Sequence, residues 1–151
     1  MKRSERLEKI NAINHGMETL AGANLANIQA EYANQTNQLE QLLVYKAEYA
    51  DKFTQRMKGD VSPQELQDYR YFFASIDAAI TQQQSMVNHF KKMVEKSREE
   101  WLSRHQEVQK INQVSSHLRR SEAVAKNRLE QKVLDEITAH FFHGPALAAK
   151  H

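Results

Sequence analysis

Residues 58–66 read KGDVSPQEL, the one strong interruption of helical periodicity before Gly144 and Pro145. Gly59 and Asp60 supply turn chemistry, Ser62 stands at an N-cap position, Pro63 suits the first helical position, and Glu65 completes a Ser-x-x-Glu capping box. One helix therefore ends near Met57 or Lys58, and a second starts at Pro63.

On either side of this break, apolar residues recur at alternating steps of three and four. The first run takes Leu7, Ile10, Ile13, Met17 and Leu20, resumes at Leu25, Ile28, Tyr32, Gln35, Leu39 and Leu42, and continues through Lys46 to Tyr49, Phe53 and Met57. The second is more regular, with Leu66, Tyr69, Phe73, Ile76, Ile80, Gln83, Val87, Phe90 and Val94, then Trp101, Val108, Ile111 and Leu118. A period near 3.5 is a coiled-coil seam. At ~1.5 Å per residue, a first helix over 3–58 spans roughly 80 Å and a second over 63–142 nearly 120 Å. A turn of four residues, 59–62, leaves them only antiparallel packing. The expected fold is all-α, a long antiparallel two-helix coiled-coil hairpin in a single domain, with a disordered tail over 143–151. Gly16 and Gly22 make the first third of helix 1 the more pliable part.

A turn centred between Asp60 and Val61 makes the numbers of facing residues add to about 121. The first helix then runs out of chain opposite residue 118 or so. Beyond it, RRSEAVAKNRLEQKVLDEITAHFF keeps an apolar row at Ala125, Leu129, Val133, Ile137 and Phe141. An apolar stripe without a partner in its own chain points to a partner in another, and to weak self-association.

Composition narrows the function classes. Lys and Arg number 21 against 19 Asp and Glu, and the two signs interleave at helical spacing, as on a solvated helix face. Nucleic-acid binding has no electrostatic case beyond Lys91-Lys92 and Arg119-Arg120. The absence of cysteine removes disulfides, thiol catalysis and thiolate metal sites, and fits a reducing compartment. No run approaches the ~20 apolar residues of a membrane span. The N-terminus lacks the apolar core of a secretory signal, so a cytoplasmic protein is expected. His140 and His143 can share a helix face, but nothing completes a metal-ligand set. No phosphate loop or nucleophile elbow is present, and a two-helix hairpin has no enclosed interior for catalysis. Neither enzyme activity, cofactor nor metal is expected.

The candidate binding surface lies near the turn. Gln38, Leu42, Tyr45 and Tyr49 are spaced four, three, four, as are Phe72, Ile76, Ala79 and Gln83, and the register sets the two rows side by side. Leu42, Tyr49, Ile76 and Gln83 belong to the seam; Gln38, Tyr45, Phe72 and Ala79 widen the apolar face to one side. The rows read either as an aromatic-rich stretch of core or as a docking surface, since Tyr and Phe dominate interface hot spots. Trp101 is in register with the seam and is better explained by packing.

The stretches QLLVYKAEY and YRYFFASIDAAITQQ, the spaced Trp101, and KNRLEQKVLDE, taken in order and with the same turn position, resemble the FliJ family of bacterial flagellar export proteins. The resemblance runs nearly end to end. It implies a non-enzymatic stalk-like coiled coil, cytoplasmic and peripherally associated with the inner membrane through the export apparatus. The implied partners are the flagellar export ATPase hexamer, the cytoplasmic domain of the membrane-embedded export gate, and substrate-specific export chaperones, with no nucleic acid and no membrane insertion. The family's gate contact maps onto Gln38, Leu42, Tyr45, Tyr49, Phe72, Ile76, Ala79 and Gln83; Ile76 replaces the usual leucine, and Gln83 stands where histidine is expected. The ATPase contact would fall at the other end, on Arg128, Gln131, Lys132, Asp135 and Glu136. An injectisome stalk protein and a generic coiled-coil adaptor are the alternative readings.

Overall fold

A computed structural model describes residues 2–149, and their side chains as far as Phe141. The chain forms α1 (Arg3–Arg56) and α2 (Pro63–Ala149), packed against each other, with no strand among the described residues. α2 is the longer, as expected. It includes residues 143–149 of the expected tail; residues 150–151 lie outside those described.

The turn forms by local chemistry. After Arg56 the backbone tightens, with Lys58 N–H donating to the Gln55 carbonyl (3.3 Å) and Gly59 N–H to that of Arg56 (3.2 Å). Ser62 Oγ caps α2 by accepting from Glu65 N–H at 3.1 Å. The capping box is only half made. Both Glu65 carboxylate oxygens accept from the Arg56 guanidinium, at 3.0 and 3.1 Å, instead of reaching back to Ser62. A bidentate charge-assisted pair outcompetes a bond to a neutral amide, and here it clips the two helix ends together.

The helices contribute to two compact units, one of Met17–Arg104 and the other of the stretches before Met17 and after Arg104. In the first, Ile76, Ile80 and Val94 are buried, and the half-buried positions of α1 include the row Ala21, Leu25, Ile28, Tyr32, Gln35, Leu39, Leu42, Lys46, Tyr49 and Phe53. Gly22 allows a close approach: a methyl group there would sit 3.4 Å from the Trp101 indole. In the second unit, Val108 is the most buried side chain, and Ser115 is buried in the same row.

Here the structure corrects the expected seam. Ile10, Ile13, Met17 and Leu20 fall outside the seam; Ile13 is 62% and Leu20 72% exposed, and Met17 stands at the margin, its Sδ accepting from the Arg104 guanidinium at 3.3 Å. The positions turned inward are Ser4, Leu7, Asn11, Asn14 and Glu18. Joining Leu20 to Leu25 requires a step of five residues, which breaks the heptad. α2 keeps an unbroken heptad from Leu66 to Glu122, and α1 matches it only by carrying the phase of Leu25 and Leu42 back through Asn11. Polar residues occupy the seam as a result. Asn11 hydrogen-bonds Asn112, and Ser4 Oγ donates to Glu122 at 2.6 Å. Such pairs are weak in stability but specify register. Met57, expected to close the row, is also exposed, because the helix has ended one residue earlier.

Candidate functional site

Near the turn, both seams load with aromatic rings, because heptad positions on α1 (Tyr49, Phe53) meet those on α2 (Tyr69, Phe73) and Phe72 flanks them. Tyr49 is the hub. Its ring centroid lies 3.7 Å from Phe72, 5.3 Å from Tyr69 and 5.7 Å from Phe73. Phe53 continues the cluster, edge-on to Tyr69 at 5.0 Å and to Phe73 at 5.7 Å. Tilted and edge-on pairs are the favoured arrangements of quadrupolar rings.

Tyr45 stands beside this cluster. It precedes the half-buried Lys46 by one residue, so it leaves the seam on the same flank as Phe72, which precedes Phe73, and the two rings meet edge-on at 5.6 Å. Tyr45 is 51% exposed. Gln38, Gln41, Leu42, Tyr45 and Gln83 together line a shallow groove, so residues 38 and 83 do approach across the helices.

The eight residues expected to form one contact surface play three parts. Ile76 is buried at 5% exposure and belongs to the core; Leu42, Tyr49, Phe72, Ala79 and Gln83 are half-buried; Gln38 and Tyr45 are exposed. Gln83 is committed inside the seam, its amide donating to the Gln35 carbonyl at 2.9 Å and to Gln35 Oε1 at 2.7 Å. Gln35 in turn donates to Glu31 at 2.8 Å. An amide at position 83 thus satisfies a backbone acceptor between the helices. A polar residue in an otherwise apolar row signalled this pairing in the sequence, but nothing there named Gln35 as the partner. Lys46, the charged residue in the same row, reaches out of it to pair with Asp77.

On α2 beyond Glu122, every residue to Phe141 is exposed. Ser4 faces Glu122, and α1 has almost no chain left to cover more. The Ser4 hydroxyl and amide hold the Glu122 carboxyl below the ordinary glutamate range, outweighing the opposing effect of desolvation, with Lys2 adding a smaller attraction. Arg128, Gln131, Lys132, Asp135 and Glu136 project from this exposed stretch, with Gln131 donating to Asp135 at 3.0 Å. The apolar row changes phase here. After Leu129 the seam would continue at Lys132 and Glu136, whereas Leu129, Val133, Ile137 and Phe141 advance in steps of four and wind around the helix. This stretch is therefore not a seam awaiting a third strand of the same coil. It is a mixed surface of separate charged and apolar rows.

Among the described residues no three His, Asp or Glu side chains are grouped to hold a metal ion, and no helix is long and apolar enough to cross a membrane.

The family model described as flagellar FliJ protein matches residues 2–146. The chain is 26% identical over 99 residues to the flagellar FliJ protein of Escherichia coli (strain K12), a match covering 66% of this chain and 67% of that protein. No solved structure matches.

Proposed function

Because the chain belongs to the flagellar FliJ protein family, whose members are components of the flagellar export apparatus, we propose that it acts there by binding, as a stalk-like coiled coil linking the export ATPase ring to the export gate. The carrying observation is the exposed Tyr45 beside the aromatic cluster. Aromatic side chains held by rings behind them offer contact area at little entropic cost. Tyr45 and Gln38 are assigned the direct contact with the cytoplasmic domain of the gate protein. Leu42, Tyr49, Phe72, Ala79 and Gln83 support them at the margin, and Ile76 acts from beneath by fixing the helix spacing.

The exposed end of α2 is assigned to the ATPase, through Arg128, Gln131, Lys132, Asp135 and Glu136. Mixed charges on a stretch of helix exposed from residue 123 to 141 can align with a ring by complementary potential. The same protein would receive substrate-specific export chaperones, working at the cytoplasmic face of the inner membrane without entering it.

Ending the chain at Ala125 separates the two contacts. The expected result is loss of ATPase binding and of ATPase stimulation, with gate binding retained. Undiminished stimulation by the shortened chain would refute the ATPase assignment.

A further inference from the structure

The unit that joins the start of α1 to the later part of α2 has two unlike flanks. Its seam runs through Ser4, Leu7, Asn11 and Asn14 of α1 and Val108, Ile111, Ser115, Leu118 and Glu122 of α2. In antiparallel pairing, residues immediately following seam positions share one flank, and residues immediately preceding them share the other. The ion pair of Glu8 with Arg119, each following a leucine of the seam, marks the first flank.

The following flank carries no large apolar side chain. Besides Glu8 and Arg119 it holds Glu5 and Ala12 from α1, with Asn112, Ser116 and Ala123 from α2. The preceding flank gathers Ile10 and Ile13 from α1 with Val114 from α2, and past Glu122 the same face of α2 continues at Val124; all four are among the exposed large hydrophobic residues, with the polar His117 and Ser121 between the two valines. Cations border them: Arg3 and Arg6 on α1, Lys110 on α2, and Arg120 in the shallow groove with Val124. Glu107 is the one acid at a preceding position within this stretch. Four aliphatic side chains on two adjacent helices, edged by positive charge, are unlike a solvated face.

We propose that this flank is a docking surface for an acidic amphipathic helix of a partner protein, which would lie along the two helices as a third. Charge complementarity selects the acid: cations border the apolar centre and almost no anion opposes an incoming carboxylate. The shape selects the helix, since apolar side chains from two parallel ridges leave a groove that takes apolar residues at i, i+3, i+4 and i+7. A membrane surface is a poorer fit, because this flank holds no Trp, Tyr or Phe to settle at a lipid interface. A nucleic-acid backbone is poorer still, because it would cover the aliphatic centre with phosphates. The surface shares no residue with the contact assigned to Tyr45 and Gln38 and does not depend on the gate or ATPase assignments.

The test uses the full chain and a labelled synthetic helix about three heptads long, with leucine at the apolar positions and glutamate beside them. Saturable binding is expected, weakening as salt rises from about 50 to 300 mM. The Ile10→Gln/Ile13→Gln variant should lower affinity about tenfold or more. Arg6→Gln/Lys110→Gln should lower it at least several-fold at low salt. Ala12→Glu/Ser116→Glu makes the same change in net charge on the opposite flank and should leave affinity nearly unaltered. Circular dichroism checks that each variant is folded, and the charge pair keeps the test open if the isoleucine pair is not. Equal binding of a lysine-for-glutamate version of the helix would overturn the proposal. So would unaltered affinity in the folded preceding-flank variants, an equal loss in the opposite-flank variant, or binding to phosphatidylserine vesicles or duplex DNA with none to the acidic helix.

Discussion

Tyr49 and Tyr45 are one helical turn apart, yet their removal should have different consequences. Tyr49 contacts four rings, the nearest at 3.7 Å, from a half-buried seam position. Truncating a buried aromatic residue to alanine costs about 3–5 kcal/mol, and partial exposure places Tyr49→Ala near the lower end, at about 3 kcal/mol. Tyr45 meets the rings of Phe72 at 5.6 Å and Tyr49 at 6.4 Å, and half of it is already in water. Two peripheral ring pairs, each worth about 0.5–1.5 kcal/mol at best, put Tyr45→Ala near 1 kcal/mol. Urea unfolding followed by circular dichroism, with an m-value of about 2 kcal/mol/M, should show midpoint decreases of about 1.5 M for Tyr49→Ala and about 0.5 M for Tyr45→Ala. The rings are in mutual contact, so the double variant should not equal the sum. Equal midpoint shifts, or a larger one for Tyr45, would refute the division into a packing tyrosine and a docking tyrosine. Tyr45→Ala is accordingly the cleaner probe of binding, because the double alanine mixes loss of a contact with loss of the cluster beneath it.

The two helical glycines of α1 should respond differently to alanine. A methyl group at Gly16 meets nothing within 4 Å, so Gly16→Ala should gain close to the full helix-propensity difference, up to about 1 kcal/mol, visible as a raised melting temperature. At Gly22 the methyl group meets the Trp101 ring, so the gain should be smaller and accompanied by a change in tryptophan fluorescence; a larger gain at Gly22 would contradict the packing. Acidification should loosen the start of α1. With its folded pKa depressed by Ser4, Glu122 contributes stability above the unfolded carboxylate range, and that contribution is lost as pH falls through the lower folded value. Protection factors of the amides near Ser4, with the pH dependence of intrinsic exchange divided out, should fall more steeply between about pH 6 and pH 3 in the wild type than in Glu122→Gln. Identical profiles would remove Glu122 from the account.

The two helices and their antiparallel packing are legible in the sequence because the break at residues 58–66 carries four independent signals and the α2 heptad is apolar at nearly every turn. The register is legible within a few residues, which is enough to bring Tyr45, Tyr49 and Phe72 together. The start of α1 misleads any reading that equates hydrophobicity with the seam. Ile10 and Ile13 are the strongest apolar residues there, but the phase of a helix held against a continuous partner is set by its whole length. A few polar positions at the helix start cannot re-phase it. The same preference for apolar rows hides the hydrogen bonds between Gln83 and Gln35, and it conceals the basic, aliphatic flank. That flank appears only once the seam is in its correct phase.

The most direct test is a titration of the full chain with the cytoplasmic domain of the export-gate protein from the same organism, wild type beside Tyr45→Ala/Gln38→Ala. Saturable binding by the wild type is expected, with a loss of about tenfold or more in the variant and helicity and urea midpoint little changed. Wild-type affinity in the folded variant, or no binding by the wild type, would contradict the assignment of this surface to the gate.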